Sequence, residues 1–343
     1  PNHAECWARR TATLMIMGNL CTRGCTFCAV NQADGTTGNL PLDPREPAHV
    51  AEAVGRLGLR HVVITSVTRD DVPDGGAAHF AATVAAIRAR SPETTIEVLT
   101  PDFGGDAAAI ARILDAGPDV FAHNIETVAR LFPQLRDARY SYEGSLEVLR
   151  LAAEHGRTLK KDEGQSLKSE GREEGPLVVA SPGAPPRPIR AISPMSPVFR
   201  EEPAGYRRSQ VARACRPAGM LGSSTVLGQD AQAAQKSPGC GWSLWIKSGF
   251  MVGCGESAAE VERTLRDLLT AGCAAVSIGQ YLQPTPQQAP VVEYVTPERF
   301  AEYEAMAYEM GFAFAVAGPF VRSSYRSEEL VRAKHGLTRT DRD

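Results

Sequence analysis

Near-continuous apolar runs rich in β-branched residues alternate along this chain with helical stretches, and no other feature limits its fold so tightly. Thr11–Met17, His61–Val67, Thr94–Thr100 and Asp119–Asn124 read as strands without a polar face, the pattern of parallel strands buried on both sides. Between them Pro47–Leu57, Gly76–Arg90 and Ala107–Ala116 read as helices, the second with an apolar stripe of Phe80, Val84 and Ile87. The rhythm resumes with Phe250–Gly253 and Ala275–Tyr281. Between these, Ser257 and Glu260 have capping-box spacing ahead of Val261, Leu265, Leu268 and Leu269. A last helix opens at Thr296–Pro297, a cap residue followed by proline at the first helical position. Such alternation predicts an α/β fold on a parallel sheet, open or closed. Its six repeats fit a partial (β/α)6 barrel of the TIM type better than a closed eightfold one.

One interval breaks the rhythm. From Arg157 to Trp245 no period of either kind is sustained, and runs such as SPGAPPRPIR and SPMSPVFREEP are rich in proline, serine and arginine. Long structureless loops are uncommon inside a compact domain, so residues 157–245 are expected to be a disordered or extraneous insertion. The chain then divides into an N-terminal segment 1–10, barrel parts 11–156 and 246–317 on either side of the insertion, and a C-terminal segment 318–343. A net charge of −3 gives no footprint for nucleic acid or an anionic membrane. No apolar run approaches the roughly 18 residues that span a bilayer. The start at Pro1, without a charged-then-apolar leader, suggests a truncated or processed N-terminus and leaves targeting unread.

Eight cysteines stand at positions 6, 21, 25, 28, 215, 240, 254 and 273. The crowding of Cys21, Cys25 and Cys28 favours metal binding in a reducing compartment over a disulfide framework. Cys254 and Cys273 read as small buried hydrophobes, and Cys215 and Cys240 fall in the anomalous interval. In MIMGNLCTRGCTFCAVN the triad is spaced C-x3-C-x2-C directly after strand Thr11–Met17. Thiolates suit iron–sulfur clusters and zinc alike. Structural zinc sites, however, are closed four-ligand sets, often two C-x2-C pairs, and no second pair exists here. A [4Fe-4S] cluster on the triad leaves one iron open for the amine and carboxylate of S-adenosylmethionine. The loop follows a barrel strand at its C-terminal end, where barrel enzymes place their chemistry. Phe27 fits as an apolar shield for the cofactor. Zinc and unliganded thiols remain the other readings of the triad.

Beyond the triad, the chain resembles the lipoyl synthases of the radical S-adenosylmethionine superfamily. The match runs through ECW at Glu5–Trp7, ITSVTRDDVPDGGAAHF at Ile64–Phe80, IEVLTPDF at Ile96–Phe103 and HNIETV at His123–Val128. It resumes with KSGFMVGCGE at Lys247–Glu256, GQYLQPT at Gly279–Thr285 and GPFVRSSY at Gly318–Tyr325, covering nearly everything outside 157–245. The resemblance implies a partial (β/α)6 barrel with two [4Fe-4S] clusters, one that cleaves S-adenosylmethionine and an auxiliary one consumed as sulfur source. It implies insertion of two sulfurs, at C6 and C8 of a protein-bound octanoyl-lysine. The family's auxiliary motif is C-x4-C-x5-C. Cys6 matches its last cysteine, and the first two positions would fall upstream of Pro1. Ser324 matches the family's serine ligand, with Arg322 placed to govern its exchange. The expectation is a chain that cleaves S-adenosylmethionine without completing sulfur insertion.

The remaining motifs read physically. Thr65, Ser66, Arg69, Asp70 and Asp71 follow a buried strand, and Asp74-Gly75-Gly76 lets backbone approach a ligand before a helix begins. By the resemblance this region binds the amino group and methionyl portion of S-adenosylmethionine; an ordinary capped turn is the alternative. Asn124 and Glu126 close the fourth strand at the same mouth, or cap a helix. Lys247, before a Gly-bearing strand, could pair with a carboxylate or be solvated, and Gln280 on the sixth strand is a similar case. The implied partners are octanoylated lipoyl domains of 2-oxoacid dehydrogenase acyltransferases, glycine-cleavage H protein, and an electron donor such as ferredoxin or flavodoxin. Neither nucleic acid nor membrane is among them. The implied compartment is the cytoplasm in a bacterium, or a mitochondrion or plastid in a eukaryote. The rivals are a biotin-synthase-like radical enzyme, a zinc-stapled binding module and an inactive fragment.

Overall fold

The computed structural model describes residues 3–33, 41–169 and 244–334. The chain divides into one unit of residues 1–171 and 239–343 and another of residues 172–238, and everything described belongs to the first.

The first unit opens with α1 (His3–Ala8) and β1 (Thr11–Ile16), followed by two-residue strands β2 (Leu20–Cys21) and β3 (Asn31–Gln32). Then come α2 (Glu46–Leu57), β4 (His61–Ser66), α3 (Ala77–Arg90), β5 (Thr95–Leu99), α4 (Ala107–Asp115) and β6 (Val120–Ala122). After a short α5 (Phe132–Leu135) and a long α6 (Tyr142–Ser169), the alternation continues with β7 (Trp245–Val252), α7 (Ala258–Thr270) and β8 (Ala275–Gln280). It ends with α8 (Pro297–Met310), β9 (Phe314–Gly318) and α9 (Ser327–Lys334). The main sheet is seven-stranded, in the order β1-β4-β5-β6-β7-β8-β9. Every pair is parallel, and β1 and β9 are left as its two edges. This is an open, partial β/α barrel.

Local chemistry sets the elements. Phe80, Val84 and Ile87 of α3 are all fully buried, each contributing about 1.5–3 kcal/mol by leaving water. The α7 capping box is formed in both directions, Ser257 accepting from the Glu260 amide and Glu260 from the Ser257 amide. Thr296 caps α8 through the Arg299 amide, with Pro297 next to it. Cys254 and Cys273 are buried as expected, and burial pushes the Cys254 thiol up to about 12.

The structure corrects several expectations. Seven strands form the sheet where six were read, because the short run Phe314–Gly318 adds an edge after α8. The β7 strand begins at Trp245 and not near Phe250: Lys247-Ser248-Gly249 reads as a polar break, yet all three are buried in the strand. Helix α6 runs on to Ser169, so the interval beginning at 157 opens as helix. Residues 170–243, with Cys215 and Cys240 and the rest of the expected insertion up to its last two positions, lie outside the described residues.

The chain ends close the barrel opposite its mouth. Leu330 and Val331 of α9 and Val321 pack against Val120, Trp245, Ala275 and Phe314, the first residues of β6, β7, β8 and β9. Arg9, after α1, pairs with Glu328 at 2.8 Å and with Glu329. Among the described residues no helix is long and apolar enough to cross a membrane.

Candidate active site

The cysteine loop leaves β1 through a left-handed corner at Met17 and Gly18 (φ 65° and 85°). The Met17 amide donates to Glu46 at 2.9 Å, and Arg69 donates to the Met17 carbonyl at 2.9 Å. The loop is then closed on itself, since β2 and β3 pair in parallel and set Cys21 opposite Gln32. Two outside segments pin it. The Thr22 amide bonds the Thr68 carbonyl at 3.1 Å, and the Thr26 amide the Leu135 carbonyl at 2.9 Å. Arg23, between the first two cysteines, is 5% exposed. It pairs with both oxygens of Asp70 and with Asp102 at 2.8 Å, and lies 3.9 Å from the Tyr140 ring centroid. The Arg23 guanidinium holds the Asp70 carboxyl below the usual carboxylate range.

Segment 134–137 supplies a second set of contacts. The Asp137 amide donates to Cys25 Sγ at 3.4 Å, the Asp137 carboxylate accepts from the Gly24 amide at 2.7 Å, and Arg136 Nη1 lies 3.7 Å from the same sulfur. Arg136 also stacks 3.6 Å from the Tyr140 centroid. Cys21, Cys25 and Cys28 are all free thiols, and burial pushes Cys25 and Cys28 up, so that binding a metal centre there releases protons.

All three sulfur-bearing side chains line one cavity of about 280 Å³. Its wall also holds Ser66, His123 and Arg136, and Ser66 Oγ, His123 Nε2 and Arg136 Nε are buried there without a hydrogen-bond partner. Burial depresses His123 to about 4, so its ring is neutral at neutral pH. Unpartnered buried polar atoms cost free energy, and here they belong to residues in the wall around a thiol triad. That donor set fits a thiolate-held cluster with a polar ligand against it. Among the described residues no three His, Cys, Asp or Glu side chains, the triad included, converge on one ion.

A second cavity of about 220 Å³ adjoins the first, and Phe27, Asn124 and Glu126 line both. It is bounded by β7 and β8 and by Arg322 and Ser323 of the C-terminal segment. That segment presses close: a Cβ on Gly279 would stand 2.3 Å from the Val321 carbonyl oxygen, so only glycine fits. Asn124 Nδ2 donates to Glu126 at 3.2 Å and to Ser323 Oγ at 2.6 Å. Burial raises the Glu126 carboxyl, opposed by the Arg136 charge.

Other residues singled out in the sequence are engaged elsewhere. Thr65 lines the first cavity but donates to the Leu99 carbonyl. Asp70 is taken up by Arg23, and Asp74 caps α3 through the Gly76 and Ala78 amides. Gly75 and Gly76 approach Phe103 and Met17 rather than open space; a Cβ on Gly76 would stand 2.2 Å from Met17 Sδ. Gln280 lines the second cavity while spending its amide on the Tyr281 and Glu293 carbonyls and the Val295 amide. Lys247 lines neither cavity and pairs with Glu97. Cys6, on α1, and Ser324 come from opposite chain ends, but their neighbours meet: Tyr325 Oη donates to Glu5 at 3.1 Å. The sequence reading missed Arg23, Arg136, Tyr140 and Ser323. An arginine inside the ligand loop itself was the available signal.

A parallel barrel that hangs a three-cysteine loop from its first strand defines the radical S-adenosylmethionine enzymes, and residues 15–162 match the family model described as the Radical SAM superfamily. Among solved structures, the fold is similar to methylornithine synthase (TM-score 0.50, 11% identity, covering 99% of this chain and 88% of that one). It is also similar to Streptococcus suis SuiB bound to S-adenosylmethionine (TM-score 0.52, 9% identity, 92% and 52%). Sequence relatives are far nearer. A curated lipoyl synthase of Thermus thermophilus is 38% identical over 96% of this chain and 75% of its own length. Those of Rubrobacter xylanophilus and Pyrobaculum calidifontis are 41% and 40% identical, over 96% of this chain and 74% and 83% of theirs. The chain belongs to the lipoyl synthase family. It is a radical S-adenosylmethionine sulfurtransferase, and that membership brings a [4Fe-4S] cluster and S-adenosylmethionine as cofactors.

Proposed function

We propose that this chain inserts sulfur at C6 and C8 of an octanoyl chain carried on a protein lysine, with Cys21, Cys25 and Cys28 holding the cluster. The observation that carries this reading is the adjoining pair of cavities. One has the thiol triad, the other the Arg322–Ser323 end of the RSSY segment, and both share Phe27, Asn124 and Glu126. Saturated carbons offer neither an acidic proton nor a leaving group, so no side chain here could activate them by acid–base chemistry. Bound to the triad, the cluster with S-adenosylmethionine supplies the reducing electron and the hydrogen-abstracting power such carbons require.

The chain's own residues bind, orient and exclude water. Ser66, His123 and Arg136 line the first cavity beside the triad and would surround the polar ends of S-adenosylmethionine. Phe27 screens the boundary between the cavities, and the buried Tyr281, in the apolar cluster Phe27 packs against, lines the second. Asn124 orients Glu126 toward the boundary and ties it to Ser323. Cys6 and Ser324 are this chain's contribution to an auxiliary sulfur-donor cluster, joined through Glu5 and Tyr325. The carriers are lipoyl domains of 2-oxoacid dehydrogenase acyltransferases or glycine-cleavage H protein, and a ferredoxin or flavodoxin supplies the electron.

The test is mass spectrometry of an octanoylated carrier after anaerobic turnover, alongside assay of 5′-deoxyadenosine. Two added sulfurs, lost with Ser324→Ala while S-adenosylmethionine cleavage persists, is the expected result, and it would overturn the sequence-based expectation that this chain cleaves S-adenosylmethionine without inserting sulfur. Deoxyadenosine formed by a chain lacking all three triad cysteines would defeat the reading.

A further inference from the structure

Among the described residues the most deeply buried ion pair lies outside both cavities. Lys247 on β7 meets Glu97 on β5 at 3.0 Å, across β6, with side chains 1% and 0% exposed. The ammonium also donates to Ser327 Oγ at 2.8 Å and to the Ser323 carbonyl. Those two acceptors bracket Ser324. His61 stands behind the pair, its Nδ1 2.7 Å from Thr95 Oγ1 and its Nε2 3.9 Å from Glu97. Burial, aided by the Lys247 charge, depresses His61 to about 3, so it stays neutral and leaves Glu97 to the lysine.

Replacing such a pair by apolar side chains of equal volume commonly holds a sheet as well or better. What apolar side chains cannot do is donate to a backbone carbonyl and a hydroxyl four residues apart. We propose that Lys247, oriented by Glu97, is a positioning residue for the C-terminal loop. It fixes Ser323 at the wall of the second cavity and Ser324 directly after it, and so sets how much sulfur is inserted per S-adenosylmethionine cleaved. The consequence for turnover rests on the reading that Ser324 belongs to the sulfur-donor site; the anchoring itself does not.

The experiment compares the wild-type chain, Lys247→Met/Glu97→Leu and Ser327→Ala. The double variant removes both charges together, so no buried charge is left alone, and Ser327→Ala removes one acceptor with little risk to folding. Amide hydrogen exchange is followed at 322–327 against β4 and β8, with the ratio of 5′-deoxyadenosine to lipoyl product measured in parallel. In the double variant, protection at 322–327 should fall about tenfold or more, as loss of a charge-assisted hydrogen bond predicts, with β4 and β8 unchanged. The product ratio should rise in step, and Ser327→Ala should lie between. Unchanged protection at 322–327, or equal loss throughout the sheet, would overturn the anchor. If the double variant does not fold, Ser327→Ala decides alone by the same exchange criterion. A changed exchange pattern with no change on Ser324→Ala would leave the anchor standing and remove the sulfur-donor reading.

Discussion

The two cavities share a wall and are built in opposite ways. The first is made by one short loop and the ends of neighbouring strands, and it is stiffened by ion pairs at the mouth, Arg23 with Asp70 and Asp102. The second is completed by Val321–Ser323, a segment distant in sequence that Lys247 and Asn124 hold. A local motif can hold a cluster in place with its own backbone. A site completed by a distant segment needs long-range anchors, and Lys247 puts a buried charge at the centre of this one.

The largest effect tests the independence of the first cavity. Replacing Cys21, Cys25 and Cys28 by alanine should abolish 5′-deoxyadenosine formation, read by chromatography, while the thermal transition of the metal-free chain stays close to wild type. A large loss of stability would mean that the loop packs the barrel as well as serving it.

Next is the mouth itself. Arg23→Met takes the ion-pair partner from Asp102, while Asp70 keeps Arg139 at 3.3 Å; removing one partner of a buried pair costs about 3–5 kcal/mol, and the second arginine and one-third exposure of Asp70 favour the low end. Urea unfolding measures it. Loss below 1 kcal/mol would show that neither the ion pairs nor the stack of Arg23 on Tyr140 holds the loop.

The second region should betray itself by pH. His61 is held at about 3 against an ordinary value of 6.5. Because the unfolded chain takes up that proton first, stability is fully present above pH 6.5 and is lost as pH falls toward 3, by a few kcal/mol in all. His61→Gln should flatten the stability profile over that window while leaving deoxyadenosine formation intact. An unchanged acid limb would mean that His61 opens to solvent.

The smallest effect is a control on the scaffold. Ser257→Ala removes the α7 cap and should cost about 1 kcal/mol by thermal melting, with the product ratio unmoved. A shift in that ratio would mean that α7 sets the geometry of the second cavity and that the two regions are less separate than they look.

The same contrast governs what could be read beforehand. The triad, the strand that carries it, and the caps at Ser257 and Thr296 are short-range patterns, and the structure places them as the sequence does. Lys247 was read as lying before a strand because a charged residue argues against a buried one; its partner is 150 positions away, on β5. The glycines at 75 and 76 suggested room for a ligand, and only the fold reveals that Phe103 and Met17 occupy it.

By itself the sequence determined the parallel α/β class and the spacing of the three cysteines, because periodicity and spacing act over a few residues and survive any packing; the family was legible only through the resemblance of its motifs. Tertiary structure decided which polar groups are spent on one another and which stay buried without a partner. That depends on burial and on partners far apart in the chain: Arg23 finding Asp102, Lys247 finding Glu97 and Ser327, and Ser66, His123 and Arg136 each keeping a polar atom with no partner at all.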